Sequence, residues 1–222
     1  MREVVLDTET TGFNHRGDDR IVEIGCVELL NRMPTGRTFQ SYVNPQREMP
    51  PEAFAVHGLS VEFLSEQSVF ADIVDEFLEF LGDSQLVIHN AEFDIGFINA
   101  ELARLERPPL RLDRTVDTVQ LARRKFPGAQ ASLDALCRRF HIDLADRSLH
   151  GALKDSRLLA EVYLELAGGR QPGLELAAAA RQTAVDGRGH STHPPRPHAP
   201  SPEEGAAHER FLDKLEEPVW RA

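Results

Sequence analysis

The sequence predicts an α/β or α+β domain followed by an extended tail. Three observations carry this. Strand-like apolar runs come first, helices then alternate with short strands, and the composition changes abruptly after Gly169. The opening runs are Glu3 to Asp7, Arg20 to Leu30 and Arg37 to Val43. Short turn-rich stretches separate them, including "NRMPTG" between the second and third, which reads as an antiparallel meander. "SVFADIVDEFLEFLG" follows with apolar residues at helical spacing, Ser68 as N-cap and Gly82 as the stop. "QLVIHN" is a short buried strand leading into a helix from about residue 92 to 106. "TVDTVQLARRKF" is a strand entering a helix, and "SLDALCRRFHI" is a helix capped by Ser132. "HGALKDSRLLAEVYLELAGG" is an amphipathic helix that stops at Gly168 and Gly169.

These boundaries divide the chain into a domain over 1–169, a segment with high helix propensity over 170–186, a Pro/His-rich linker over 187–202, and a last segment over 203–222. The linker has five prolines between Pro194 and Pro202. Its histidines lack Cys or acidic partners at ligand spacing, so it reads as a solvated spacer.

The whole chain has 222 residues, 41% hydrophobic and 27% charged, an ordinary globular balance. With 36 acids against 25 bases its formal charge is -11, which argues against a broad basic grip on nucleic acid. It leaves open a nucleic-acid enzyme whose acids gather around metal ions. Cys26 and Cys137 have no zinc or redox spacing and read as buried free thiols. The N-terminus runs straight into a strand, and no apolar run reaches the roughly 20 residues of a membrane span. The expectation is a cytoplasmic protein without a membrane segment.

The chemistry is concentrated in three stretches. In "VVLDTETTGF", a strand that continues through Asp7 and Glu9 aims both carboxylates the same way, because side chains two apart share a face. Two such acids repel, and a divalent cation reverses that. An exposed strand end with both acids in water is the alternative. "VIHNAEFDIGF" places Asp94 in the first turn of the helix after a buried strand. "LHGALKDSRLLAEVY" places His150 at a helix start and Asp155 one turn further in. Strand ends and helix starts are where side chains converge on one cleft.

"LDTETTG", "HNAEFDIGF" and "HGALKD" resemble, in order and separation, the three motifs of the histidine-containing branch of the DEDD exonuclease superfamily. The resemblance runs from Arg2 to about Gly169 and takes in "PEAFAVHGLS" and "SLDALCRRFHID". Within that family it is strongest to the proofreading subunits of bacterial replicative polymerases. It implies a ribonuclease-H-like fold with a mixed central sheet flanked by helices. It also implies two divalent ions, Mg²⁺ or Mn²⁺, held by Asp7, Glu9, Asp94 and Asp155, with His150 as general base, and 5′-mononucleotides released from a DNA 3′ end, single-stranded or mismatched. Both ions suit oxygen ligands.

By the same resemblance Thr10, Thr11 and Phe13 contact the terminal nucleotide, His57 belongs to its pocket, and Asn90 supports the second motif by orienting Asp94. For Phe13 ordinary core packing is the alternative, and for His57 a structural place in a loop. In the tail, "QPGLEL" resembles a sliding-clamp (beta) motif anchored by Gln171, Leu174 and Leu176, though Pro and Gly intervene. "HERFLDKLEEPVWRA" resembles the segment that binds the polymerase catalytic (alpha) subunit, with Phe211, Leu212, Leu215 and Trp220 as anchors. The domain leaves room for a small accessory subunit. A free-standing 3′ exonuclease acting on RNA or short oligonucleotides uses the same five residues and differs in having no need of such a tail. An idle scaffold has no need of the five.

Overall fold

A computed structural model describes residues 1–144, 149–169 and 200–214. The chain divides into a compact unit Met1–Gly173 and a second unit Leu174–Ala222.

The first unit is built on a five-stranded mixed sheet. Its strands are β1 (Arg2–Thr10), β2 (Ile21–Leu30), β3 (Met33–Tyr42), β4 (Gln85–Ile88) and β5 (Thr115–Asp117), in the order β3-β2-β1-β4-β5. The meander β1–β2–β3 is antiparallel, while β4 and β5 add in parallel beside β1. The helices are α1 (Pro51–His57), α2 (Val61–Ser65), α3 (Phe70–Leu81), α4 (Ala91–Arg104), α5 (Thr118–Lys125), α6 (Leu133–Phe140) and α7 (Ala152–Leu166). In the second unit, α8 covers Pro202–Leu212 and is closed by a Ser201–Glu204 capping box. Pro202, expected at the end of the linker, is therefore the first residue of that helix. Among the described residues no helix is long and apolar enough to cross a membrane.

Strand alternation sorts the core into two layers. Val4 and Leu6 of β1 join Phe77, Ile98 and their neighbours from α3 and α4 on one face. Val5 joins Leu136, Leu159 and Val162 from α6 and α7 on the other. All eight are fully buried, and each such side chain contributes about 1.5–3 kcal/mol. Both cysteines are buried and free. Burial pushes the Cys137 thiol up to about 11, and burial with the nearby Asp7 charge holds the Cys26 thiol well above its ordinary value.

Three expectations are corrected. The β2–β3 turn is two residues, Asn31 and Arg32, both with positive φ (52° and 67°), and the strand resumes at Met33. This is the primed hairpin geometry that matches strand twist, here without glycine. Pro34 is accommodated because β3 is an edge strand and the register shifts between Val27 and Leu29. Ser68 does not cap α3; the N-cap is Val69, and the Ser68 carbonyl accepts from Asn44 N–H instead. "PEAFAVHG" forms α1, so His57 ends a helix and does not sit in a loop.

Candidate active site

The site lies where β1 outruns β4. The parallel pairing covers only Glu3 to Val5, so the last half of β1 projects past its neighbour with Asp7, Thr8 and Glu9 on it. Glu9 is opposite Glu23 and Asp7 opposite Gly25 in the β2 register. By alternation Asp7 and Glu9 continue the Val5 face, toward α7, and Thr8 continues the Leu6 face, toward α4.

On the α7 face, ligand atoms of Glu9, His150 and Asp155 all lie within 4.8 Å of one another. Asp7 lines the same cavity, of about 350 Å³, together with His89, Ser132 and Asp134. Glu9 and Asp155 are buried and His150 is half exposed. His150 Nδ1 is 3.0 Å from Asp155 Oδ2. A carboxylate only accepts, so Nδ1 carries the hydrogen, and in the neutral ring the lone pair is then on Nε2. His150 precedes α7 by two positions, with Gly151 as the N-cap, and its N–H donates to the Val56 carbonyl at 3.1 Å.

Asp94 is in the first turn of α4, buried, and reached from the other face: Thr8 Oγ1 donates to its Oδ1 at 2.7 Å. Burial pushes its carboxyl from 3.8 up to about 7; the Thr8 bond pulls the other way, and the Asp117 charge adds to the rise. Asn90 makes no hydrogen bond to it. Asn90 is the α4 N-cap in left-handed conformation (φ 72°), at the turn from β4 into the helix, and the side chain bonded to Asp94 is that of Thr8.

A second cavity, of about 610 Å³, adjoins the first across Glu9. Thr10, Thr11, Phe13, Val56, His57 and Phe93 are in its wall. Phe13 is 86% exposed, with its ring 6.3 Å from that of Phe93, which removes core packing as its role. His57 Nδ1 accepts from Leu59 N–H at 3.0 Å, fixing the hydrogen on Nε2, and buried Nε2 has no hydrogen-bond partner. Burial holds the imidazole below its ordinary value. Thr10 and Thr11 spend their hydroxyls on the loop itself. Thr10 Oγ1 donates to Gly12 O at 2.6 Å and Thr11 Oγ1 to Asp19 at 3.1 Å. Asp19 is the hub of that loop, also accepting from Asn14 N–H and Arg47. It fills the space beside Gly12, where a Cβ would lie 2.4 Å from its Oδ2.

Asp7, Glu9, Asp94, His150 and Asp155 are thus brought to one end of β1, the first, second and last two on one face and Asp94 behind Thr8. Phe211 is exposed and Leu212 buried in α8. Gln171, Leu174, Leu176, Leu215 and Trp220 lie outside the described residues. Sequence reasoning missed Asp134, His89 and Ser132 as cavity residues. Asp134 carried the same signal as Asp94, an acid in a helix first turn, two residues after the capping Ser132.

The donor set fits divalent cations. Among the described residues the cavity wall supplies hard carboxylate oxygens and no Lys or Arg. The cost of keeping Asp94 charged in its buried position is what a neighbouring cation would offset.

The chain is similar to known nucleases and polymerase subunits. The exonuclease family profile of the RNase T type matches residues 4–163. The DNA polymerase III epsilon subunit of Rickettsia conorii is 54% identical over 179 residues, covering 79% of this chain and 78% of its own. That of Salmonella typhimurium is 44% identical over 238 aligned residues, covering 100% and 98%. Among solved structures, exonuclease X in complex with 5′-overhanging duplex DNA is 26% identical with a TM-score of 0.58, covering 74% of this chain and 90% of that one. The nuclease domain of 3′hExo, a DEDDh member bound to rAMP, shares the fold at 18% identity and a TM-score of 0.65, covering 75% and 91%. The chain belongs to the exonuclease family.

Proposed function

We propose that the protein is the proofreading 3′→5′ exonuclease of a replicative DNA polymerase, removing 3′-terminal, mismatched nucleotides as 5′-mononucleotides. The grouping of Glu9, His150 and Asp155, with Asp7 in the same wall, carries the hydrolytic part of this reading. The full-length likeness to epsilon subunits carries the proofreading part and favours it over an RNA-trimming enzyme.

In this reading Asp7, Glu9, Asp94 and Asp155 hold two divalent ions, Mg²⁺ or Mn²⁺. Such ions, when bound, lower the pKa of an attacking water and stabilise the leaving 3′ oxygen. His150 accepts the water's proton at Nε2, while its Nδ1–H donates to Asp155 and keeps the ring in that tautomer. Thr8 holds Asp94 in one orientation. The adjoining cavity receives the terminal nucleotide, with Phe13 packing against the base and His57 Nε2–H donating to the nucleotide. Thr10 and Thr11 set the shape of the loop that carries Phe13.

An acidic chain binds DNA weakly by itself, so tethering raises its effective concentration at the primer end. Phe211, Leu212, Leu215 and Trp220 are proposed to bind the polymerase alpha subunit, and Gln171, Leu174 and Leu176 the beta clamp. A small accessory subunit is compatible with this arrangement. The test of function is digestion of 3′-mismatched DNA against RNA of the same sequence. Degradation of the DNA by the wild type and none by the Asp7→Ala, Glu9→Ala double variant is expected; equal activity of the variant refutes the site. Truncation after Pro202 is expected to abolish co-purification with the polymerase subunit.

A further inference from the structure

We propose that Glu23 is a positioning residue for the reaction: a buried carboxylate on β2 that caps α7 and thereby fixes His150 and Asp155 relative to Glu9. The inference rests on the reading of His150 and Asp155 given above.

A helix begins with N–H groups that lack intrahelical acceptors. The N-cap of α7 is Gly151, which has no side chain to supply one. The acceptor comes instead from 129 residues away in sequence: Glu23 Oε2 takes the Ala152 N–H at 3.0 Å in a fully buried bond. The other oxygen, Oε1, accepts from Gln40 Nε2 on β3 at 2.8 Å. Both carboxylate oxygens are therefore committed, and the group is aimed at the helix by a second strand. Its negative charge suits the positive end of the helix dipole.

The same strand fixes the helix again two residues on. Ser156 Oγ donates to the Gly25 carbonyl at 2.8 Å, in the turn of α7 that carries Asp155. A Cβ on Gly25 would lie 2.1 Å from Leu153 N, so the helix backbone rests directly on β2. Glu23 stands opposite Glu9 in the β1–β2 register, on the same sheet face. One rigid strand pair thus carries Glu9 on one member and the cap of α7 on the other. A carboxylate buried to 3% exposure beside an already acidic site is costly, and its neighbours repel it. The cap accounts for its presence there. Misplacement of a reacting group by about 1 Å can cost on the order of 100-fold in rate.

The test measures kcat and KM of the full chain on 3′-mismatched DNA for Glu23→Ala, Glu23→Asp and Glu23→Gln, at a temperature where circular dichroism shows each fully folded. The alanine variant removes the acceptor, and the aspartate variant withdraws it by one methylene. Both are expected to lose about tenfold or more in kcat with KM within about twofold. Glu23→Gln keeps an acceptor for Ala152 N–H, and the Gln40 amide can turn its oxygen to the new NH₂; kcat within about threefold of wild type is expected, since the acceptor rather than the charge is what positions the helix. If the alanine variant does not fold, the aspartate variant carries the comparison. Wild-type kcat in either shortened variant, or a glutamine variant as impaired as them, overturns the proposal. His150→Ala serves as reference. Full activity there means the assignment of His150 has failed, whereas an inactive His150→Ala beside a fully active Glu23→Ala means only the positioning role has.

Discussion

Thr8 and Asp94 meet across 86 residues of sequence, hydroxyl to carboxylate at 2.7 Å, and so join the strand that carries Asp7 and Glu9 to the helix after β4. Thr8→Val keeps the shape and removes the donor. A buried acceptor left unmade costs about 1–3 kcal/mol, and Asp94 loses the contact that orients it. The expected outcome is a stability loss of that size by urea denaturation, with kcat on mismatched DNA reduced about tenfold. A variant as stable and as active as wild type refutes the role.

Asp94 also gives a pH dependence. Its carboxyl is raised from 3.8 to about 7 in the folded protein, chiefly by burial. The folded state then holds a proton more tightly than the unfolded state. This group's contribution is complete below the unfolded value, at about pH 4, and is lost as pH rises through about 7. Metal-free protein should therefore lose stability between pH 5 and pH 8, ranges that bracket most of that titration. Asp94→Asn keeps the Thr8 bond and should flatten the profile in EDTA while abolishing nuclease activity. Added Mn²⁺ at pH 8 should raise the melting temperature of the wild type and leave the variant nearly unchanged. An identical pH profile for the two proteins removes the explanation.

Much of this was legible locally. The alternation in β1 announced two carboxylates on one face, and Ser132 announced α6, whose N-cap it is, accepting from Ala135 N–H. What was not legible depends on partners far apart in the chain. Nothing within "VVLDTETTGF" says that Thr8 will meet Asp94, and nothing beside Glu23 says that it will cap α7. The β2–β3 turn was misread because Asn31 and Arg32 adopt positive φ without a glycine to signal it. Helix α1 is seven residues long with proline at its start, too short for periodicity to reveal, and with it went the place of His57.

His150 is half exposed, so its removal should leave the fold intact. His150→Ala is expected to lower kcat at neutral pH by about 10²–10⁴-fold, the usual contribution of a general base. Activity should recover in part toward pH 9, where hydroxide replaces the lost base. A stopped assay on labelled mismatched primer across pH 6–9 measures both, and a variant with unchanged kcat at pH 7 rules out the role.

Phe13 is expected to separate binding from stability. Its ring is 86% exposed and lies 6.3 Å, centroid to centroid, from that of Phe93. Phe13→Ala should leave the melting temperature within about 2 °C, as surface substitutions do. Base stacking on an aromatic ring is worth about 1–3 kcal/mol, so KM for a single-stranded 3′ end should rise about 5- to 100-fold. An unchanged KM removes Phe13 from the nucleotide pocket.

Gly25 tests how closely the catalytic helix must approach the sheet. Its carbonyl takes the Ser156 hydroxyl, and its missing side chain leaves room for the backbone of Ala152 and Leu153. An added methyl would lie 2.1 Å from Leu153 N and 2.2 Å from the Ala152 carbonyl carbon, both backbone atoms with no rotamer to yield. Gly25→Ala must therefore push α7 away from β2, stretching the Glu23 and Ser156 bonds and drawing Asp155 away from Glu9. Overpacking of this kind costs about 1–3 kcal/mol, and the displacement adds a loss of activity that stability alone does not explain. The expected result is a folded protein, less stable by denaturation, with kcat reduced at least about 100-fold at a temperature well below its melting point. Ser156→Ala, which removes one bond and adds no clash, should show the smaller effect in both measurements. Gly25→Ala with wild-type kcat would mean that α7 can move without the site moving, and the strand pair would lose its role as the common frame.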